Sequence, residues 1–236
     1  MIVYNDGAAR RQTLMRISLI GMAGTGKTYW SQNLSTYGFR WICCDDLIAG
    51  RLGPAMKSTD GTPMDMGAWM GFPDSPGYEE REALYLETEI RVMEEALNML
   101  EKAGRDDLQV VLDTTGSVIY TGKEILGRLK RLTTVVYLET PPEVVDGMLR
   151  AYEEEPGPVL WQGLFRRRAG ESRKAALSRC YPALLEYRRE RYERYADVTI
   201  GYYERRKAGY GVRQFLDAVL RGGEVHSTLP PTDPRA

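Results

Sequence analysis

One segment of eight residues constrains the fold of this chain more than any other feature. It reads Gly21-Met22-Ala23-Gly24-Thr25-Gly26-Lys27-Thr28 and matches the pattern G-x-x-x-x-G-K-[ST]. In this pattern the glycines let consecutive backbone N–H groups curl around phosphate oxygens, the lysine reaches the β- and γ-phosphates, and the final hydroxyl binds Mg²⁺. We therefore expect all eight residues to hold a nucleoside triphosphate, with Lys27 also acting in catalysis and Thr28 as a metal ligand.

The residues around this segment provide the context that the pattern needs. A short apolar run at 17–20 precedes it, and Trp30, Leu34 and Tyr37 follow at the spacing of one helix face. Further apolar runs at 39–44, 109–112, 134–138 and 198–200 alternate with amphipathic helical patterns. Because short apolar strands that alternate with helices form parallel sheets covered on both faces, the sequence predicts a three-layer α/β fold with a five-stranded parallel sheet.

The composition excludes several classes of protein. Hydrophobic residues make up 43% and charged residues 28%, which is typical of a folded domain, and the net charge of −1 argues against a globally basic nucleic-acid binder. Three cysteines and one histidine, His226, provide neither a disulfide framework, nor a Ser-His-Asp triad, nor a multi-histidine metal site. No apolar run approaches the ~18 residues of a membrane span. We therefore expect a cytoplasmic protein without a membrane partner.

The chain of 236 residues is typical of one domain with extensions at its ends. Residues 1–14 show no helix or strand period and are predicted to form an N-terminal extension, and the Gly- and Pro-rich end at 223–236 is predicted to be a disordered tail. The domain at 15–222 contains a Gly-, Pro- and Met-rich insertion at 53–77. A basic segment at about 156–175 predicts a mobile lid.

The third predicted strand is an apolar run that ends in Asp113. In proteins with this loop pattern, an aspartate at such a position holds Mg²⁺, usually through water. Asp113 is therefore the second predicted metal ligand. The alternative is that Asp113 caps the following turn, a task for which Thr114 and Thr115 would serve as well.

Three further segments, together with the loop, resemble the shikimate kinase-like branch of the small P-loop kinases, which are relatives of gluconate kinases and nucleoside monophosphate kinases. They read Cys43-Cys44-Asp45-Asp46-Leu47-Ile48, Arg179-Cys180-Tyr181-Pro182-Ala183-Leu184-Leu185 and Tyr192-Glu193-Arg194-Tyr195-Ala196-Asp197-Val198. The resemblance covers roughly residues 15–220. It implies the P-loop kinase fold and a transfer of the γ-phosphoryl group from ATP, with Mg²⁺, to a hydroxyl of a small, anionic acceptor.

The resemblance also implies a catalytic carboxylate after the second strand. Asp45 matches the acidic residue that contacts the acceptor hydroxyl in the family, which makes it both a catalytic and a substrate-binding candidate. Asp46, followed by Leu47, is similar to the D-D-L of gluconate kinases. Both aspartates are therefore candidates for the catalytic base.

Three other positions are implied to bind the acceptor. Arg188, four residues before Tyr192, matches a substrate-binding arginine of the family, and Arg81 resembles another. Gly116 lies in the turn that contacts the substrate, where the family has three consecutive glycines and this chain has Thr115-Gly116-Ser117. The family also has a carboxylate where this chain has Cys43. The resemblance therefore supports kinase chemistry well and shikimate as the acceptor poorly.

Two basic segments are candidates for contacts with the nucleotide. The lid arginines, with Arg173 as the candidate for catalysis, are predicted to stabilise charge on the transferring phosphoryl group, and the alternative is a solvated helix face. After the fifth strand, Arg205 or Arg206 is predicted to stack on the adenine base, and Arg205 is our choice for the cofactor site. The alternative for that segment is an ordinary exposed loop.

Two other functions stay open from the sequence. One is a nucleoside or nucleotide kinase, and the other is a P-loop ATP-binding regulatory or nucleic-acid-associated NTPase. A GTPase is disfavoured because none of the asparagines, Asn5, Asn33 and Asn98, stands in an N-K-x-D context. We expect a small-molecule acceptor as the partner, no nucleic acid, and a monomer or a homodimer.

Overall fold

A parallel sheet of five strands, in the order β2-β3-β1-β4-β5, forms the centre of the molecule. The structure is a computed structural model that describes residues 14–103, 108–154 and 157–227. The strands are β1 (Arg16–Ile20), β2 (Arg40–Cys43), β3 (Val110–Asp113), β4 (Thr134–Leu138) and β5 (Val198–Ile200). The predicted α/β class and the five-stranded parallel sheet are confirmed.

Helices cover both faces of this sheet. They are α1 (Lys27–Ser35), α2 (Cys44–Leu52), α3 (Met66–Met70), α4 (Tyr78–Lys102), α5 (Lys123–Leu132), α6 (Val145–Glu154), α7 (Arg173–Tyr195) and α8 (Val212–Ser227). On one face, Trp30 of α1 stacks on Phe215 of α8 with ring centroids 4.7 Å apart, and both pack with Leu19 of β1. On the other face, Met93 of α4 packs with Ile20 of β1. Because side chains alternate along a strand, neighbours on β1 enter different layers of the core.

The register of the sheet brings the candidate residues to one edge. Asp113, the last residue of β3, is level with Leu19 of β1 and with Cys43 of β2. The phosphate-binding loop follows β1 directly, and α2 begins at Cys44, immediately after β2. The loop, Asp113 and Asp45 therefore share the carboxyl edge of the sheet, where ligands bind in open α/β folds.

The last helix extends further than the sequence predicts. The glycine pair at 222–223 predicts a tail from residue 223, but α8 continues to Ser227. Gly222 lies where α8 approaches β5, and a Cβ added there would overlap the side chain of Val198. The segments 1–13 and 228–236, predicted to be extension and tail, lie outside the described residues. Among the helices of the described ranges, none is long and apolar enough to cross a bilayer.

Candidate active site

The phosphate-binding loop has the backbone geometry that its glycines predict. Gly24 and Gly26 have φ angles of 74° and 94°, a region that residues with a Cβ rarely adopt. Gly21 is required for space as well, because a Cβ added there would lie 2.9 Å from the carbonyl oxygen of Leu138. The loop therefore has the backbone conformation that lets consecutive N–H groups surround a phosphate at the start of α1.

Lys27 folds back over this loop. Its side chain is buried, with 7% exposed, and its Nζ donates to the carbonyl oxygens of Gly21 and Met22, both at 3.0 Å. Burial lowers the pKa of Lys27, whereas the nearby carboxylates of Asp45 and Asp113 raise it. These contacts hold a cation at the centre of the loop, where the β- and γ-phosphates of a nucleotide would lie.

Asp113 lies beside Lys27 with its side chain buried. Neither of its carboxylate oxygens has a hydrogen-bond partner among the described residues. Burial raises the pKa of Asp113, and the nearby Thr28 hydroxyl and Lys27 ammonium lower it. A buried carboxylate without partners is unfavourable unless a cation or water completes its surroundings.

The donors at this point fit Mg²⁺. Asp113 and Thr28 offer hard oxygen atoms, and Mg²⁺ is usually bound through one or two carboxylates together with substrate phosphates and water. Within the described ranges, no three His, Cys, Asp or Glu side chains group into a complete metal site. The phosphates of a nucleotide and water would therefore supply the remaining ligands.

Asp45 and Asp46 lie in the first turn of α2, where the helix N-terminus favours negative charge. Both line a cavity of about 560 Å³ that Lys27 and Thr28 also line. Solvent reaches Asp45 from this cavity, yet the surrounding walls desolvate the carboxyl group and raise its pKa, against the attraction of Lys27. A raised pKa brings the carboxylate closer to the operating pH, which suits a general base.

This cavity, which we call the smaller cavity, is lined by most of the predicted acceptor residues. Besides the two aspartates, Gly116 and Arg188 line it, and Met66, Tyr85 and Ser117 complete its walls. These residues come from α2, α3, α4, α7 and the turn after β3. Residues far apart in the chain thus meet around one space beside the loop.

Glu89, which is absent from the sequence-predicted site residues, anchors one wall of this cavity. It lies on α4 with 0% of its side chain exposed. The Ser117 hydroxyl donates to Glu89 at 2.6 Å, and the Thr115 hydroxyl also donates to it. Because these two residues flank Gly116, Glu89 fixes the turn that lines the cavity. Burial raises the pKa of Glu89 to about 7, although the two hydroxyls and the more distant Arg188 lower it.

We expect Glu89→Gln to change how the stability of this protein depends on pH. The pKa of Glu89 is about 7 in the folded protein, above the ordinary value of 4.5, so the folded wild type loses stability as the pH rises from about 4.5 to about 7. Glutamine carries no charge, and the hydroxyls of Thr115 and Ser117 can rotate to bond its amide. The free energy of unfolding of the variant, taken relative to that of wild type, should be higher at about pH 8 than at about pH 5 by on the order of 2–3 kcal/mol.

Urea unfolding at the two pH values measures this difference. Glu87→Gln is the matched control, since Glu87 lies on the same helix and forms an exposed ion pair with Arg91. A free-energy difference between Glu89→Gln and wild type that stays constant with pH would contradict the prediction.

Arg188 is a buried cation between the smaller cavity and a larger one. Its side chain is 4% exposed, its Nη2 donates to the carbonyl oxygen of Leu160 at 2.8 Å, and its Nε donates to the Tyr120 hydroxyl at 3.3 Å. Its Nη1 is directed toward Gly116, 3.5 Å from the position that a Cβ would take there. Arg188 is thus held on two sides, its third nitrogen lies beside Gly116, and the residue lines both cavities.

Two arginines predicted to contact a ligand, Arg81 and Arg173, lie against the insertion instead. The Nε of Arg81 donates to the carbonyl oxygen of Met70 at 3.1 Å. The Nε of Arg173 donates to Asp74 at 2.6 Å, and its guanidinium lies 4.7 Å from the ring centroid of Phe72. Neither arginine is among the described residues that line the two cavities. In this structure both hold the insertion in place instead of facing a ligand.

Arg205 is also held by the fold. It donates to the carbonyl oxygens of Ile200 and Glu139 at 2.9 and 2.7 Å, which ties the ends of β4 and β5 together. Its neighbour Arg206 lines the larger cavity of about 920 Å³, with its guanidinium 3.6 Å from the ring centroid of Tyr202. Of the two arginines that the sequence offers for stacking on a base, Arg206 is therefore the one that lines the larger cavity, where a base could contact it.

The larger cavity lies between the loop, α6 and α7. Arg150 of α6 lines it together with Arg188 and Arg206. Arg150 is another residue that sequence reasoning missed, because nothing in its surroundings in the chain distinguishes it from an exposed helix residue. These three cations face a space that begins at the phosphate-binding loop.

Part of the predicted lid is fastened to α4. The hydroxyl of Tyr78 donates to the carbonyl oxygen of Val159 at 2.7 Å, and the backbone N–H of Gln162 donates to Glu82 at 3.0 Å. The backbone N–H of Trp161 also donates to Glu82, and the Trp161 side chain is 1% exposed. We call residues 159–162 the anchored segment. The basic residues of the predicted lid begin only after it.

Solved structures of other proteins have a fold similar to that of this chain. No protein-family model matches the chain, and no curated protein matches it in sequence. The shikimate kinase from Acinetobacter baumannii, in complex with shikimate, is 22% identical with a TM-score of 0.56, and the match covers 92% of this chain and 97% of that chain. The shikimate kinase from Aquifex aeolicus is 20% identical with a TM-score of 0.53, covering 89% of this chain and 99% of that chain. The chain thus has the fold of the shikimate kinases, a P-loop kinase fold.

Proposed function

We propose that this chain is an ATP-dependent kinase that transfers the γ-phosphoryl group of ATP to a hydroxyl group of a small-molecule acceptor. The observation that carries the proposal is the convergence of Lys27 and Asp45 on one cavity beside the phosphate-binding loop. The loop alone would serve any protein that binds a nucleotide. A cavity of about 560 Å³ with a carboxylate at its edge adds space for a second substrate and a group that can accept its proton.

The roles of the residues follow from their positions. Lys27 and the loop hold the β- and γ-phosphates, and Asp45 accepts the proton of the acceptor hydroxyl as its oxygen attacks phosphorus. The new O–P bond forms as the bond to the β-phosphate oxygen breaks, and ADP leaves with that electron pair. Thr28 and Asp113 would hold Mg²⁺, which neutralises phosphate charge when bound. Arg188 contacts the body of the acceptor through Nη1.

A screen for acceptor-dependent ADP release tests the proposal. Sugar acids, polyols, hydroxy-amino acids and nucleosides are offered with ATP and Mg²⁺, and transfer is checked by detecting the phosphorylated product. Release that requires one acceptor class supports the kinase, and a nucleoside as that acceptor selects the nucleoside kinase. Release that proceeds equally without acceptor, and that nucleic acid or a protein partner stimulates, would point to the regulatory NTPase instead.

A further inference from the structure

The two cavities beside the phosphate-binding loop adjoin each other. Ala23 and Gly24 of the loop, Met66 of α3, Val159 of the anchored segment and Arg188 of α7 line both of them. Because these residues line both spaces, a molecule beside Asp45 that is longer than the smaller cavity would meet the larger cavity at Met66.

The wall next to this junction is apolar. It consists of Met66, Tyr152, Val159, Tyr181 and Leu185, which we call the inner wall. Tyr181, Leu185 and Arg188 follow one another at the spacing of one helix face on α7, so the apolar residues lie directly along the helix from the cation that reaches the smaller cavity. A ligand that contacts Arg188 has the inner wall beside it.

The side chains of the inner wall hold one another in place. The rings of Tyr152 and Tyr181 stack with centroids 5.7 Å apart and an interplanar angle of 18°. The indole N–H of Trp161 donates to the Tyr152 hydroxyl at 3.2 Å, and both tyrosines are almost fully buried. Since the wall is held before a ligand arrives, a flat apolar group can bind it with little loss of side-chain freedom. Methionine and tyrosine side chains are also good partners for aromatic rings.

A nucleotide would use the part of the larger cavity that lies at the ends of β4 and β5. With its phosphates on the loop, its base extends toward the ends of β4 and β5, where Tyr202 and Arg206 offer a flat surface. Thr140 and Glu143 supply polar groups at the same end. The apolar inner wall is left for the other substrate.

We propose that the acceptor is an alcohol that carries an aromatic or other flat apolar group. Its hydroxyl lies beside Asp45, its middle passes Met66 and Arg188, and its apolar group packs against the inner wall. This inference rests on the proposed kinase function and narrows the class of acceptor.

Matched pairs of alcohols test the inference. Methyl and phenyl glycosides of the same sugar, and glycerol and its phenyl ether, are bound to the protein loaded with Mg²⁺ and a non-hydrolysable ATP analogue. Calorimetry gives the affinities, and kcat/KM with ATP gives transfer. We expect the phenyl member of at least one pair to bind and react at least tenfold better than its non-aromatic partner.

Variants at Met66 test whether the preference for phenyl compounds arises from binding beside this residue. Met66→Gln should reduce the phenyl preference about tenfold, and Met66→Trp, which fills the junction, should remove it. Met64→Gln is the matched control, because Met64 belongs to the same insertion, is half-buried and lies outside both cavities. A melting temperature for each variant shows that it is folded.

The outcomes separate this inference from the proposed function. Transfer to both members of every pair with equal kcat/KM, or no binding of any phenyl compound, overturns the inference and leaves the kinase in place. Phenyl compounds that compete with the ATP analogue also overturn it, since they would occupy the base site. Phenyl binding that depends on Met66, without transfer to any alcohol, supports the site and overturns the kinase.

Discussion

Lys27→Ala is expected to abolish measurable phosphoryl transfer while the domain stays folded. The Lys27 ammonium lies within the phosphate-binding loop, bonded to the carbonyl oxygens of Gly21 and Met22 at 3.0 Å. Removing a preorganised donor of this kind from a transition state lowers kcat roughly 10²–10³-fold, and a full positive charge on a triphosphate should exceed that. The measurement is ADP release with the acceptor that the screen identifies.

The stability of the Lys27 variant has a separate physical basis. Burial lowers the pKa of Lys27, which means that burial disfavours the charged side chain in the unliganded protein. Loss of the charge removes this penalty but also removes the attraction to Asp45 and Asp113 and two hydrogen bonds to the loop, so the charge alone should change the melting temperature little. Loss of the buried stem in the alanine variant leaves a gap as well. Lys27→Met is the matched control, because it keeps the stem and removes the charge. Turnover within tenfold of wild type in the Met variant would contradict the role of Lys27.

Asp45→Asn is expected to lower kcat at least ~100-fold with little change in the KM for ATP, because a general base typically contributes about 10²–10⁴-fold. Asparagine keeps the shape and the position in the first turn of α2 but cannot accept the proton of the acceptor. The raised pKa of Asp45 adds a second expectation. The wild-type kcat should fall at acid pH, at a value above the ordinary 3.8 of an aspartate, and Asp45→Asn should lack this limb.

Asp46→Asn is the control for this prediction, since Asp46 is the next residue of the same helix turn and lines the same cavity. It should reduce kcat far less than Asp45→Asn and act mainly on stability or metal binding, by about 0.3–1 kcal/mol if only the helix N-terminus loses a charge. Wild-type kcat in both single variants would show that the base lies elsewhere. A larger loss of kcat in Asp46→Asn would exchange the roles of the two aspartates.

The fold and the loop are the parts of this molecule that the sequence predicts best. The central strands β1, β3 and β4 are short, mostly apolar runs, and burial on both faces is what a central parallel strand requires. The loop needs glycine at Gly21 and Gly26 for backbone reasons, and those reasons are visible in the pattern alone. Asp113 could be placed beside the loop because parallel strands end at one edge. These inferences depend on local chemistry and on topology, not on long side chains.

Long side chains are the part that sequence reasoning could not place. The resemblance predicts Arg81 as an acceptor ligand and the basic segment predicts Arg173 as a lid residue, and the structure places Arg81 on α4 and Arg173 at the start of α7. Their guanidinium groups, however, reach the carbonyl oxygen of Met70 and the carboxylate of Asp74 in the insertion. A side chain with four rotatable bonds selects its partner by what tertiary structure brings near it. Both partners lie in the insertion at 53–77, and no periodicity in the sequence indicates the conformation of this insertion.

The position of Glu89 in the sequence is itself a sign that this residue has buried partners. It lies four residues after Tyr85 and four before Met93, within the apolar stripe of α4, where a carboxylate has no reason to be unless it has partners. Its partners, Thr115 and Ser117, lie beyond the end of β3, and only the packing of α4 on the sheet brings them within reach. A carboxylate on the buried face of a long helix is thus a site candidate in its own right.

The anchored segment has a consequence for how the cleft recognises its ligands. Residues that cover a binding site usually lose conformational freedom when the ligand binds, and this lost entropy weakens the affinity. Here Val159, Trp161 and Gln162 are already bonded to α4 through Tyr78 and Glu82. That loss of freedom occurs when the chain folds, so the affinity of an acceptor reflects its direct contacts with the walls. This segment therefore offers an acceptor a wall whose shape exists in advance, and an acceptor that does not fit it would gain nothing from a rearrangement of the segment.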